Sequence, residues 1–311
     1  MPTYSWQLLR AATFKLDGGS MFGLIPRTVW SKSVPTDDKG RITVQHNCLL
    51  LTQSDNPARK ILLEVGTGNK MDAKSRAIFD LENRWIGDAL AEVNTSPASI
   101  QGVVCTHLHF DHAGGLTRLP LPGEDPGPLN AVPTFPNAAI VAQAREWEDA
   151  LANKSVMTRT YFRDHLDPIK HQLTLVNSPY PFDTPDRHYA WAPARDEHIS
   201  PAADRMTEVF PGIHVFRVPG HTWGQQAMTF TDDKNRRVVF TPDVMPTLAH
   251  VGAAYSLAYD VEPYTSMISR RWFLSEAADH NWLLVLDHEP GNPVCRVKRT
   301  DTWFELTPDA P

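Results

Sequence analysis

Residues 107–112 read His-Leu-His-Phe-Asp-His, directly behind the short apolar run at 100–106 (IQGVVCT). Four good ligands for a first-row metal, His107, His109, Asp111 and His112, therefore fall within six residues at a strand end. Residues two apart in an extended chain point the same way, so His107 and His109 can converge on one ion. The chain then turns, and Asp111 and His112 can face a neighbouring ion. Gly114 and Gly115 permit the tight backbone path that follows. Imidazole nitrogen and carboxylate oxygen suit zinc, and also iron or manganese. A polar loop with chance histidines is the competing reading; the density of the cluster behind a strand counts against it.

The same arrangement of apolar strand, short turn and ligand recurs three times. His221 follows the strand predicted at 213–219, Asp243 follows 236–241, and His288 follows 282–286. Each alone reads equally well as a loop histidine or a turn aspartate. Four such strand ends in one chain are hard to assign to turns.

Between these points the periodicity predicts strands at 41–52 and 59–65, with turn chemistry in SDNPA between them. One helix is expected over 72–93, with Ile78, Leu81, Trp85, Ala89 and Val93 on one stripe. Further expectations are a strand at 138–142, a helix at 143–154, a strand at 225–231, and a helix opened by Pro263 that runs to Asp279. Residues after the last apolar strand read as a short tail. Two Pro-rich stretches, 119–136 and 177–205, read as irregular surface insertions, the second as a lid over a site. They do not act as linkers, because ligand-type residues lie on both sides of them. The expectation is one domain spanning 1–311.

The order HxHxDH, a histidine in PGHT, an aspartate after a strand and a late histidine resembles the metallo-β-lactamase superfamily, over roughly residues 40 to 290. The resemblance implies an α/β fold, a four-layered αβ/βα sandwich with metals at one edge. It further implies that His107, His109 and His221 hold a first metal, Asp111, His112 and His288 a second, and that Asp243 bridges. Members often carry Asp-x-Gly after an early strand; here that place reads Glu64-Val65-Gly66.

Such a centre of two divalent ions, with zinc favoured and iron, manganese or cobalt open, would use a bridging hydroxide on an electrophilic carbonyl or phosphorus. Asp111 would protonate the leaving group, a role carried over from lactonase-like relatives. The chain resembles the quorum-quenching lactonase branch, which makes a lactone or carboxylic ester the favoured substrate. Many lactonases of that branch have a tyrosine shortly after the bridging aspartate. Val244, Met245 and Pro246 stand there instead, with Tyr255 a possible replacement. Met21, Phe22, Met245 and His250 are the expected substrate contacts, Trp223 a further apolar wall, and Arg118 a candidate cation for a β-lactam carboxylate. Phosphotriesterase, β-lactamase and thioesterase activities remain alternatives on the same ligands.

Composition narrows the rest. Net charge is −6, and 105–117 and 219–230 contain no Lys or Arg, which argues against an RNA-processing nuclease and against nucleic-acid partners generally. A flavodiiron-type oxidoreductase needs a flavin domain, and only 23 residues follow His288. A metal-binding protein without catalysis is disfavoured by the complete ligand set. Three widely spaced cysteines argue against a disulfide framework. The N-terminus MPTYSWQLLRAATF predicts no signal peptide, and no run approaches the roughly 18–20 apolar residues of a membrane span. A cytoplasmic protein acting on a small molecule is expected, away from membranes, with a homodimer left open.

Overall fold

The computed structural model describes residues 2–157, 159–182 and 200–310. Two sheets dominate. The first has six strands in the order Tyr4–Asp17, Arg41–Gln53, Asn56–Leu63, Ile100–Val104, Ala139–Gln143 and Leu173–Val176. Its first three strands pair antiparallel and the rest join in parallel. The second has seven, in the order Phe304–Pro308, Val294–Arg299, Leu283–Leu286, Arg237–Thr241, Gln226–Thr231, Ile213–Arg217 and Thr207–Phe210.

Strand alternation explains the layering. Ile61 and Leu63 face the second sheet, where they meet Val215, Met228, Phe230, Phe240 and Val285 in one buried cluster. Leu62, between them, faces outward and packs with Ile86, Leu90, Trp147 and Ala150 from the helices on that side. Phe216 likewise points away from the interface onto Trp272, Phe273 and Ala277 of the helix Pro263–Asp279. Period-two burial on both faces of both sheets yields helix, sheet, sheet and helix layers.

Strand direction then places the site. Ile213–Arg217 and Arg237–Thr241 both run antiparallel to Gln226–Thr231, while Arg237–Thr241 runs parallel to Leu283–Leu286, with Thr241 opposite Leu286. Three strands of the second sheet thus end at one edge. The first sheet is tied to that edge by backbone bonds from Gln226 N to Thr106 O (2.9 Å) and from Gln45 N to His288 O (3.1 Å).

Several expectations need correction. Residues 72–93 form two helices, Ala73–Phe79 and Ile86–Glu92, because Asp80 turns left-handed at φ 45°. The intervening segment docks on the first strand through Glu82 N to Thr13 O (2.9 Å) and Thr13 N to Glu82 Oε2 (3.0 Å). Ile78, placed on the buried stripe by sequence, is 54% exposed. The fourteen-residue first strand has no counterpart in the sequence reading, and the expected C-terminal tail instead supplies two strands to the second sheet. The first Pro-rich stretch is mostly exposed loop, apart from a two-residue pairing of Val132–Pro133 with Thr117–Arg118. Most of the second falls outside the described residues, so the lid expectation does too. All three cysteines are buried free thiols. Among the described residues no helix is long and apolar enough to cross a membrane.

The inter-sheet cluster should dominate stability. Phe240→Ala is expected to cost about 3–5 kcal/mol, whereas Leu119→Ala, at 41% exposure, should stay within about 0.5 kcal/mol of the parent. Denaturant midpoints of the two variants check this; equal shifts would refute it.

Candidate metal centre

The four strand ends deliver two tight groups of buried side chains. His107, His109 and His221 form the first, and His112, Asp243, Asp287 and His288 the second; within each, the ligand atoms lie within 4.8 Å of one another. Asp243 stands between them. Its Oδ2 is 3.2 Å from His221 Nε2 and 3.9 Å from His107 Nε2 on one side, and 3.7 Å from His112 Nε2 on the other. Its Oδ1 is 3.4 Å from His288 Nε2. Asp111 reaches the second group from the side, 3.7 Å from His288 and 3.9 Å from His112.

The donor chemistry fits divalent ions. His221 Nε2 faces His109 Nδ1 at 3.0 Å, and His288 Nε2 faces His112 Nε2 at 3.2 Å. His288 Nδ1 donates to the carbonyl of Gln45 (3.0 Å), and His221 Nδ1 to Asp260 Oδ1 (2.9 Å). Those bonds leave both Nε2 lone pairs directed inward, the arrangement that a ligating histidine requires. His107 Nε2, His109 Nε2 and Asp243 Oδ1 are buried without a hydrogen-bond partner among the described residues. Burial and the adjoining imidazoles hold His107 and His109 well below the usual histidine range, so both are neutral. Burial opposes charge on Asp243, yet His221, His288 and His112 hold its carboxyl well below the ordinary carboxylate range.

Three further carboxylates brace the loops. Glu64, in the left-handed region at φ 64°, accepts from Thr106 N and lies 3.5 Å from His112 Nδ1. It fills the place where Asp-x-Gly was expected. Asp260 orients His221 and accepts from Leu257 N (3.2 Å). Glu146, fully buried in the first turn of the helix Ala144–Leu151, accepts from Leu108 N (2.9 Å), Tyr161 Oη (3.2 Å) and Thr222 Oγ1 (2.5 Å). One carboxylate thereby joins the 107–112 loop to the loop carrying His221. Gly224 lets that loop approach, since a Cβ there would lie 2.4 Å from Glu146 N.

A family model described as the metallo-beta-lactamase superfamily matches residues 41–128. A probable metal-dependent hydrolase from Staphylococcus aureus superposes with a TM-score of 0.74 at 23% identity, covering 99% of this chain and 98% of that one. AidC, a dizinc quorum-quenching lactonase, superposes with a TM-score of 0.71 at 16% identity, covering 100% and 98%. This chain has the metallo-β-lactamase fold. An N-acyl homoserine lactonase of a Bacillus species is 25% identical over 166 residues, covering 53% of this chain and 47% of the relative. The lactonase AttM of Agrobacterium fabrum is 24% identical over 207 residues, 65% of this chain and 63% of the relative. Both matches thus span less than two thirds of the relatives' own length.

In this metallo-β-lactamase fold the metal-type residues open onto a cavity walled by Leu16, Met21, Phe79, Phe110, Met157 and Tyr259, with Asp111, Asp243, His109, His221 and His288 at its floor. A second cavity of about 380 Å³ adjoins it and shares Phe79, Phe110 and Met157. Of the expected substrate contacts, only Met21 lines the first cavity. Phe22 is stacked between Trp30 (4.9 Å) and His250 (4.7 Å), and Met245 is buried against the second sheet's helix. His250 bonds Thr247 Oγ1 (2.7 Å) and the carbonyl of Met21 (2.8 Å), so it props Met21 from behind. Tyr255 packs edge-on against Phe22 rather than reaching the cavity, and Trp223 lies beside Arg145. Arg118 is paired with Glu124 at 2.6 Å and does not line the cavity. Tyr259 and Asp287 were missed: one sits in an irregular loop, and the other was hidden beside a more conspicuous histidine.

Burial lowers the pKa of His250 to about 3, from an ordinary 6.5. The unfolded chain binds this proton between those values and the folded chain does not, so stability present above pH 6.5 is lost as pH falls toward 3. Metal-free His250→Gln should therefore lose less stability than metal-free wild type between pH 6.5 and 4. Parallel acid melting curves would contradict this.

Proposed function

We propose that the protein is a two-ion hydrolase of lactones or carboxylic esters that carry an apolar portion. The observation that carries this reading is Asp243, one carboxylate shared by two buried ligand groups at the floor of an apolar-walled cavity. The relatives described as N-acyl homoserine lactonases support the ester and lactone class. In this reading His107, His109 and His221 would hold one ion, Asp111, His112 and His288 the other, and Asp243 would be shared between them. Zinc, iron, manganese and cobalt all suit such ligands.

Bound divalent ions supply Lewis-acid polarisation of a carbonyl and a nucleophile available at neutral pH. The chain's own groups do the remainder. Burial pushes the Tyr259 phenol up to about 12, so it stays protonated and can donate to the substrate's carbonyl oxygen. Asp111, on the cavity floor, takes a proton and returns it to the leaving oxygen. Leu16, Met21, Phe79, Phe110 and Met157 exclude water and hold an acyl chain or ring. Among the described residues no Lys or Arg lines this first cavity, which disfavours phosphodiesters and the carboxylate of a β-lactam.

Metal-loaded protein should hydrolyse lactones or esters, prefer longer acyl chains, and lose activity on complete chelation. Tyr259→Phe should reduce kcat on the order of 10²-fold with little change in metal content. Cleavage of a phosphotriester or β-lactam but of no lactone or ester would overturn the substrate reading. Full activity in metal-free protein would overturn the mechanism.

A further inference from the structure

Asp287 immediately follows the strand Leu283–Leu286 and is only 2% exposed. Neither of its carboxylate oxygens has a hydrogen-bond partner among the described residues. Its backbone is firmly placed, since its carbonyl accepts from Asn47 N at 2.9 Å. The second ligand group closes around it: His112, Asp243, Asp287 and His288 lie within 4.8 Å, and Asp111 is outside that group. Asp111 lines both the substrate cavity and the small cavity beside Asp287, and stays within 4 Å of His112 and His288.

The surroundings of Asp287 have one chemical character. A small polar cavity of about 10 Å³ lies between it, His46, Asn47, Glu64, Gly66, Asp111, His112 and His288. Asn47 spends its amide hydrogens on the carbonyls of Leu286 and Glu289, both at 2.9 Å, which leaves its Oδ1 unpartnered. Glu64 Oε2 lies 3.5 Å from His112 Nδ1 and accepts no closer bond among the described residues. Among the described residues no ammonium or guanidinium lines the cavity, where His46 Nδ1 is unpartnered alongside these oxygens. Buried acceptors of this kind are costly unless a cation meets them.

We infer that Asp287 is an additional carboxylate ligand of the second ion, approaching from the side away from the substrate and adding to Asp111 rather than replacing it. This rests on the two-ion reading above and adds to its ligand set. With Asp243 and Asp287 both present, the second site is richer in oxygen than the first, which holds imidazoles. It should accept the harder ions, manganese or iron, more readily than the first site does.

The experiment compares wild type, Asp287→Asn and Asp111→Asn by elemental analysis and chelator competition, using zinc and manganese separately. Asp287→Asn should bind the second ion at least tenfold more weakly, with a larger loss for manganese, and Asp111→Asn, altering a ligand already expected there, should weaken the same ion. Without metal, Asp287→Asn should melt no lower than wild type, because an amide replaces an unpaired buried carboxylate. With metal, wild type should gain more in Tm. A second variant, Asp287→Cys, should give a thiolate-to-metal charge-transfer band on cobalt loading. Undiminished binding of both ions by Asp287→Asn, or a cobalt-loaded Asp287→Cys without that band, would overturn the inference. Wild type that holds two ions yet cleaves no lactone or ester would end the substrate reading alone.

Discussion

Four imidazole nitrogens lie within 4 Å of the Asp243 carboxylate, and the rest of the architecture serves that convergence. Imidazoles and carboxylates packed this closely away from water repel or go unsatisfied unless cations lie between them. Such a cluster exists only where rigid elements force it. Here the forcing elements are strand ends. Three strands of the second sheet end at one edge, and the first sheet is hydrogen-bonded to that edge through Thr106 and Gln45. The inter-sheet core of Leu63, Val215, Phe230, Phe240 and Val285 sets the spacing between the two sources of ligands.

Rigid strands alone do not aim side chains. That task falls to buried oxygens behind the ligands: Asp260 on His221, the carbonyl of Gln45 on His288, Thr106 on His107, and Glu64 near His112. Glu146 works one step further back. It orients no ligand directly, yet it fixes the backbone at Leu108 and the hydroxyl of Thr222, each next to a histidine of the first group. Ligand geometry is thus held by local hydrogen bonds laid over the fold, and a change in either would loosen the site.

Much of this was legible in the chain. Apolar runs with β-branched residues marked the strands that deliver ligands, and the six residues from His107 to His112 have too many metal-type side chains for an ordinary loop. The helix from Pro263 to Asp279 was announced by its own proline at the start. What escaped has physical reasons. The first strand mixes Arg, Gln and Lys among its apolar residues and shifts register between Arg10 and Thr13, which blurs its period. The helix expected over 72–93 was broken by a left-handed aspartate, a conformation that helical spacing does not reveal. Phe22 and Met245 looked like cavity walls because apolar residues near a site can face either the substrate or the core, and only the three-dimensional path decides. Tyr259 and Glu146 act through loops and depth, neither of which has a periodic signature.

Each ligand group draws on both sheets. The first takes His107 and His109 from one and His221 from the other; the second takes His112 from one and Asp243 and His288 from the other. An ion in either group is therefore a clasp between halves of the sandwich, closing loops that are more than a hundred residues long, from His109 to His221 and from His112 to His288. Because those ligands meet only in the folded sandwich, a bound ion would stabilise the folded chain by mass action. Ion release and opening of the sandwich become linked events, so the rate at which the protein surrenders its metal also reports how often its two halves part.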